Sequence, residues 1–228
     1  MEITPIAHIR SDFREKFGVP RQSGLVESLR AEVVFEPPYR IAEAVRGLEE
    51  FSHIWLIWEF SKARRGDWSP TVRPPRLGGN QRVGVFATRS PFRPNALGLS
   101  AVKLERVERH PRLGPVLHIA GPDLLDGTPI YDVKPYLPYA DARPEASGGF
   151  TDRTARRRLT VECSPDLLAK IPPEKREALL GVLAEDPRPS YQSDPGRVYG
   201  LAFSDVNVRF TVSGETLAVR EIEKKNTD

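Results

Sequence analysis

The chain has 228 residues, 39% apolar and 29% charged, with 34 Lys and Arg against 31 Asp and Glu. This is the composition of a soluble globular protein of one large or two small domains, and it excludes a disordered or fibrous chain. The single cysteine, Cys163, excludes an internal disulfide and a cysteine-built zinc site.

No apolar run reaches the length of a membrane-spanning helix, and the first residues, MEITPIAHIRSDFREKF, lack the apolar segment of a secretory signal. A cytoplasmic protein is expected. The histidines His8, His53, His110 and His118 lack metal-ligand spacing, so no metal is expected. The 22 prolines favour short strands and stiff corners over long helices.

In chain order, Ile3 to Ile9 alternates as a first strand, and Ser11 to Gly24 is a polar loop ending in the turn Pro20-Arg21-Gln22-Ser23-Gly24. Ala31 to Glu36 is a strand stopped by Pro37-Pro38. Arg40 to Glu50 has Ile41, Ala44, Val45 and Leu48 at helical spacing and predicts a short helix. Phe51 to Phe60 is nearly all apolar and predicts a central strand, with His53 and the tryptophans Trp55 and Trp58 in the core. Ser61 to Pro75 reads as a loop. The run Val83 to Ala87 predicts a strand entering an Arg-bearing corner, Thr88 to Asn95, stiffened by Pro91 and Pro94.

Leu97 to Glu108, Val116 to Ala120 and Ile130 to Tyr136 are further strands, separated by a turn dense in acids: Asp123, Asp126 and, on its far side, Asp132. Many short strands between Gly and Pro corners predict a mainly β protein, a β-barrel or sandwich. A polar linker, 143–158, then divides an N-terminal domain, 1–142, from a small α+β C-terminal domain, 159–228. Ser164-Pro165 caps a short helix, a second helix runs Pro173 to Glu185, and Val206 to Val212 alternates cleanly before a hairpin return through Thr216 to Ile222.

The charge is concentrated. Between Lys62 and Arg93 lie eight basic residues and one acid, Asp67, a local balance of +7 in a chain whose net charge is +3. Such a surplus suits an anionic partner, with nucleic acid the leading candidate and a solvated basic face the alternative. No nucleophile–base motif, GxGxxG or P-loop is present. What remains is the Arg corner (Arg89, Arg93, Asn95) and the turn Asp123 to Asp126. An Arg can clamp a carboxylate and an Asp can accept from hydroxyls or an ammonium, so the two together suit a zwitterionic nucleoside. A simple Arg89–Asp126 ion pair is the competing reading.

Three strings add to this: PRQSGL (20–25), RPPRLGGNQRVGVFATRSPFRPNALGLS (73–100) and DLLDGTPIYDVKPYLPYAD (123–141). They closely resemble the TsaA-like family, which includes the TrmO-type tRNA N6-methyltransferases. The resemblance continues at DPRPSY (186–191) and YGLAFSDVNVRF (199–210) and is weakest in the linker.

It implies a non-Rossmann β-barrel methyltransferase, a homodimer, with S-adenosyl-L-methionine as donor. The implied substrate is N6-threonylcarbamoyladenosine beside the anticodon of tRNA, at position 37, methylated on N6. The implied donor-binding residues are Gln22, Ser23 and Gly24; Ser61 and Lys62, which depart from the family's His-Gln; Arg89; Leu99; and Asp123, Leu124, Leu125 and Asp126. Asp126 and Asp132 are candidates for a catalytic base. Arg76, Arg93, Tyr136 and Tyr191 are candidates for RNA contact, since exposed aromatics can stack on loop bases. A methyltransferase with another acceptor, or a donor-binding sensor, would share the donor site.

Overall fold

The computed structural model describes residues 2–63, 68–154, 158–189, 192, 194 and 196–225. The predicted corner candidate Tyr191 lies outside the described residues.

Six strands close into a barrel: β1 (Ala7–Ser11), β2 (Arg30–Phe35), β3 (His53–Glu59), β6 (Leu97–His110), β7 (Gly114–Ala120) and β8 (Pro129–Pro135), in the order β1-β2-β7-β6-β3-β8. Every neighbouring pair, including the closing β1–β8 pair, is antiparallel. Closure leaves no unpaired sheet edge in the barrel. Between β3 and β6 an arm leaves the barrel and returns, carrying the small hairpin β4 (Thr71–Val72) and β5 (Val83–Gly84). A short helix, α1 (Pro138–Asp141), follows β8.

Strand period decides what faces the core. On β3, Ile54, Leu56 and Trp58 point inward; His53, Trp55, Ile57 and Glu59 share the outer face. His53 is therefore not the core histidine its apolar surroundings predicted. It is exposed, 2.9 Å from Ser52 Oγ and beside the Tyr136 ring. Residues 40–50 do not form one helix either. Two 3-10 turns, 42–45 and 48–50, are separated by Gly47 at φ 84°, a left-handed conformation that interrupts helical propagation. The predicted strand 83–87 shortens to Val83–Gly84 and then turns, which leaves Phe86 72% exposed.

The C-terminal part is a four-stranded sheet, β10-β11-β12-β9, built from β9 (Thr160–Glu162), β10 (Tyr199–Phe203), β11 (Val206–Ser213) and β12 (Thr216–Lys224). With it go α2 (Pro165–Leu168) and α3 (Pro173–Ala184). Ser164 caps α2 by accepting from the Leu167 amide, as its position predicted. Val206, Val208, Phe210 and Val212 all face the core.

The polar loop after β1 is less polar in function than in composition. Phe13, with Val26 and Leu29, belongs to the C-terminal core, and Phe17, Val19 and Leu125 pack against it. Phe13 meets Phe203 edge-on at 5.7 Å and Phe17 stacks on Phe210 at 6.4 Å. At the head of this loop Lys175 Nζ lies 2.5 Å from Asp12 Oδ1 and 2.7 Å from Ser204 Oγ, while the Ser204 amide donates to the Asp12 carbonyl at 2.8 Å. The C-terminal domain thus holds the segment leading into the 20–24 turn. Lys175→Met leaves the Asp12 carboxylate without its cation, and a loss of about 2 kcal/mol is expected in a urea unfolding curve.

Candidate active site

A cleft of about 520 Å³ opens where the end of β3 and the start of β6 meet the arm. The 16–22 loop forms one wall, with Lys16, Val19 and Gln22. The arm supplies Thr88, Arg89, Pro91 and Arg93 opposite. Trp58, Glu59, Leu97, Gly98 and Leu99 form the floor, and Asp123, Leu125 and Thr128 close the end.

The floor depends on a missing side chain. A Cβ at Gly98 would lie 2.3 Å from the Trp58 indole, so only glycine lets the ring lie flat against β6. Trp58 Nε1 then donates to Ser100 Oγ at 2.9 Å, and Ser100 Oγ donates to Asp123 Oδ1 at 2.6 Å. Trp58 and Ser100 are both buried. Gly98→Ala forces the indole away and breaks this relay. The expected result is a loss of about 1–3 kcal/mol in stability, read by thermal melting, together with weaker ligand binding in the cleft.

The acidic turn and the 20–24 turn touch through backbone. Gly24 N donates to Gly121 O at 2.8 Å; Gly121 sits at φ 68°, and a Cβ there would come within 3.2 Å of Gly24. This contact carries the Ser23 amide to Asp123. Burial raises the Asp123 carboxyl above its ordinary 3.8, against the Ser100 hydroxyl, the amides of Asp123 and Ser23, and the Arg89 charge, all of which favour the carboxylate. A carboxylate so placed is poised for a hydroxyl or a cation.

Arg89 donates to the Gln22 side-chain oxygen, which joins the two walls. The competing Arg89–Asp126 pair is not formed: Asp126 Oδ1 accepts from the Ser11 amide at 3.0 Å.

The structure therefore gathers most of the predicted donor residues. Gln22, Ser61, Lys62, Arg89, Leu99, Asp123 and Leu125 line the cleft, and Ser23 and Gly24 reach it through the backbone contacts above. Leu124 is 1% exposed in the barrel core, so its side chain is structural.

The two nominated bases do not line the cleft. Asp126 Oδ1 accepts from the Ser11 amide, and Asp132 faces Lys134 Nζ at 2.7 Å on β8, beside a different hollow. Two carboxylates do face the cleft, Asp123 and Glu59, and Glu59 accepts from the Tyr131 hydroxyl. No local signal in the sequence set Glu59 apart from the apolar strand that carries it.

Of the RNA candidates, Arg76 is exposed in the arm and Arg93 lines the cleft while donating to the Thr88 carbonyl at 2.7 Å. Tyr136 is half-buried against Trp55.

Comparison with known proteins identifies the family. Residues 8–142 match the tRNA-methyltransferase O N-terminal domain, and residues 156–225 match the TrmO C-terminal domain. The chain belongs to the TrmO family. One TrmO-family relative, the tRNA (adenine(37)-N6)-methyltransferase of Escherichia coli K12, is 43% identical over 96% of this chain and 97% of its own length. Another, from Pseudomonas aeruginosa, is described as a putative S-adenosylmethionine-dependent methyltransferase, RcsF, and is 42% identical over 91% of each chain. A crystal structure of TrmO from Pseudomonas aeruginosa superposes with a TM-score of 0.80 at 35% identity, covering 99% of this chain and 97% of that one.

Proposed function

We propose that the chain is an S-adenosyl-L-methionine-dependent tRNA methyltransferase acting on N6 of the position-37 adenine, and that its substrate carries N6-threonylcarbamoyladenosine there. The observation that carries the reading is the cleft itself. Arg89 and the half-buried Asp123 both line it, near enough for the Arg89 charge to act on the Asp123 carboxyl, together with Leu97, Leu99 and Trp58. That set fits the donor's chemistry: a carboxylate for Arg89, hydroxyls or an ammonium for Asp123, and apolar surface for the rest. When bound, the donor supplies an electrophilic methyl group.

The chain's own residues orient and exclude water. Gln22 fixes the Arg89 guanidinium, and Ser100 with Trp58 fixes Asp123. Positioning of this kind supplies a large part of a transfer rate. The acceptor N6 is ureido-like, its lone pair delocalised, so removal of its proton assists attack. Among the described carboxylates, Glu59 and Asp123 face the cleft. Asp123 is assigned to the donor, so Glu59, which lines the cleft beside the Tyr131 hydroxyl, is the proton acceptor in this scheme.

The C-terminal domain, residues 159–228, holds the 12–24 loop in place for the donor domain, residues 1–142. Its corner also touches the donor turn, since Arg21 donates to the Arg188 carbonyl at 3.4 Å. A homodimer, which the family resemblance implies, is part of this reading. Among the described residues no helix is long and apolar enough to cross a membrane, and a tRNA substrate fits a cytoplasmic enzyme.

The test uses methyl-labelled donor and two tRNA pools, one from cells that make threonylcarbamoyladenosine and one from cells that cannot. Label in the first pool alone supports the reading. Label in neither, with the donor bound, makes the chain a donor-binding protein or a methyltransferase with another acceptor.

A further inference from the structure

The arm carries two aromatic rings that the donor site does not use. Trp68 is 49% exposed and Phe86 is 72% exposed. Their rings are stacked, with centroids 6.4 Å apart and planes 22° from parallel, and the Arg93 guanidinium lies 5.8 Å from the Phe86 centroid. The arrangement is braced. Ser69 N donates to Phe92 O at 3.2 Å and Val85 N donates to Pro70 O at 3.0 Å, tying both rings' segments together across the β4–β5 hairpin. Arg93 itself is anchored on the Thr88 carbonyl at 2.7 Å. Two large rings fixed in water contribute little to the core, and a rigid exposed pair of this kind suits a planar partner.

The surroundings select the partner. Arg73, Arg76 and Arg82 are exposed on the same arm, and residues 68–95 contain no Asp or Glu. Arg93 lies between the platform and the cleft, which it also lines. A second copy of the chain fits less well, because a two-fold axis through the arm would set one cationic face against its equal. Unpaired RNA supplies both things the arm lacks, negative charge and flat faces that stack on aromatic rings and Arg planes.

We propose that Trp68 and Phe86, with Arg93, form a stacking platform for an unpaired base of the RNA acceptor, beside the nucleotide that enters the cleft. This rests on the reading of the chain as a tRNA methyltransferase. The platform reads stacking rather than sequence, because every base offers a π face.

The experiment measures binding of unfractionated tRNA by filter retention over a series of salt concentrations, and of S-adenosylhomocysteine by calorimetry, with turnover read separately. Phe86→Ala and Trp68→Ala are each expected to weaken tRNA binding about ten-fold, and Phe86→Trp to keep it. Donor-product affinity stays at the parent value in all three. The salt slope is unchanged by the ring variants and is flattened by Arg76→Ala, since a ring releases no counterions and a phosphate contact does.

Parent-like tRNA affinity in the Trp68→Ala/Phe86→Ala double variant, with labelled product still formed, would overturn the platform alone. Weakened binding that coincides with a fall in oligomer mass by light scattering would make it a protein interface instead. Absence of tRNA binding by the parent chain would overturn both this proposal and the tRNA reading, whereas tRNA binding that depends on the rings, without methyl transfer, would leave the platform standing and overturn the enzyme.

Discussion

Asp123→Asn is expected to weaken donor binding about a hundred-fold, by about 3 kcal/mol, while the protein melts at an unchanged or higher temperature. The two halves of that expectation share one cause. Asparagine keeps an oxygen to accept from Ser100, so the Trp58–Ser100 relay survives. It removes a charge that burial disfavours by more than Ser100, the backbone amides and Arg89 favour it.

The sign of the pH dependence follows from the same shift. A carboxyl whose folded-state pKa is raised favours the fold below its unfolded value, and that contribution is lost as pH rises through the raised one. In the free protein, ionised Asp123 therefore costs stability at neutral pH. A donor that pairs with the carboxylate binds more tightly as pH climbs from the ordinary value of 3.8 through the raised one, releasing a proton. Calorimetry across that range in the parent and in Asp123→Asn checks this. A steep profile in the parent and a flat one in the variant are expected, and equal profiles would remove Asp123 from the donor site.

Glu59→Gln separates chemistry from binding. With Glu59 as proton acceptor, kcat falls about a hundred-fold or more, and donor affinity changes little because Asp123 and Arg89 are untouched. Asp126→Asn and Asp132→Asn are the comparison variants. Asp126 supports the Ser11 amide and Asp132 faces Lys134, so both should retain near-parental kcat, with Asp126→Asn losing stability. Single-turnover rates on modified tRNA decide between them. A collapse of turnover in Asp132→Asn with Glu59→Gln active would return the base to β8.

Much of the barrel was legible because its strands alternate. The strand over Leu97 to Glu108 and the cleft's Arg and Asp corners stood out, but the faces of β3 did not: His53 and Trp55, expected in the core, lie on its outer face. What escaped the sequence depends on contacts between distant segments. Phe13, Phe17 and Val19 looked like members of a polar loop, yet they enter or pack against the C-terminal core, and nothing local to SDFREKFGVP says which sheet they meet. Gly98 sits in a run, Leu97 to Ser100, that reads as an ordinary strand; its role appears only when Trp58 is found against it. Glu59 was hidden at the end of an apolar strand, next to Trp58 of opposite parity, and both line the cleft. Asp126 and Asp132 were attractive as acids in a turn, and only hydrogen-bond partners distinguish a carboxylate that holds a loop from one that faces a ligand. The helix expected over 40–50 failed where Arg46 is extended and Gly47 is left-handed, which outweighed the apolar spacing.

Crystals soaked with S-adenosylhomocysteine test the central claim most directly. The account predicts ligand density in the cleft between the 16–22 loop and the arm, with its carboxylate toward Arg89 and polar contacts to Asp123. Density in the hollow beside Asp132, or density in the cleft that touches neither Arg89 nor Asp123, would contradict it.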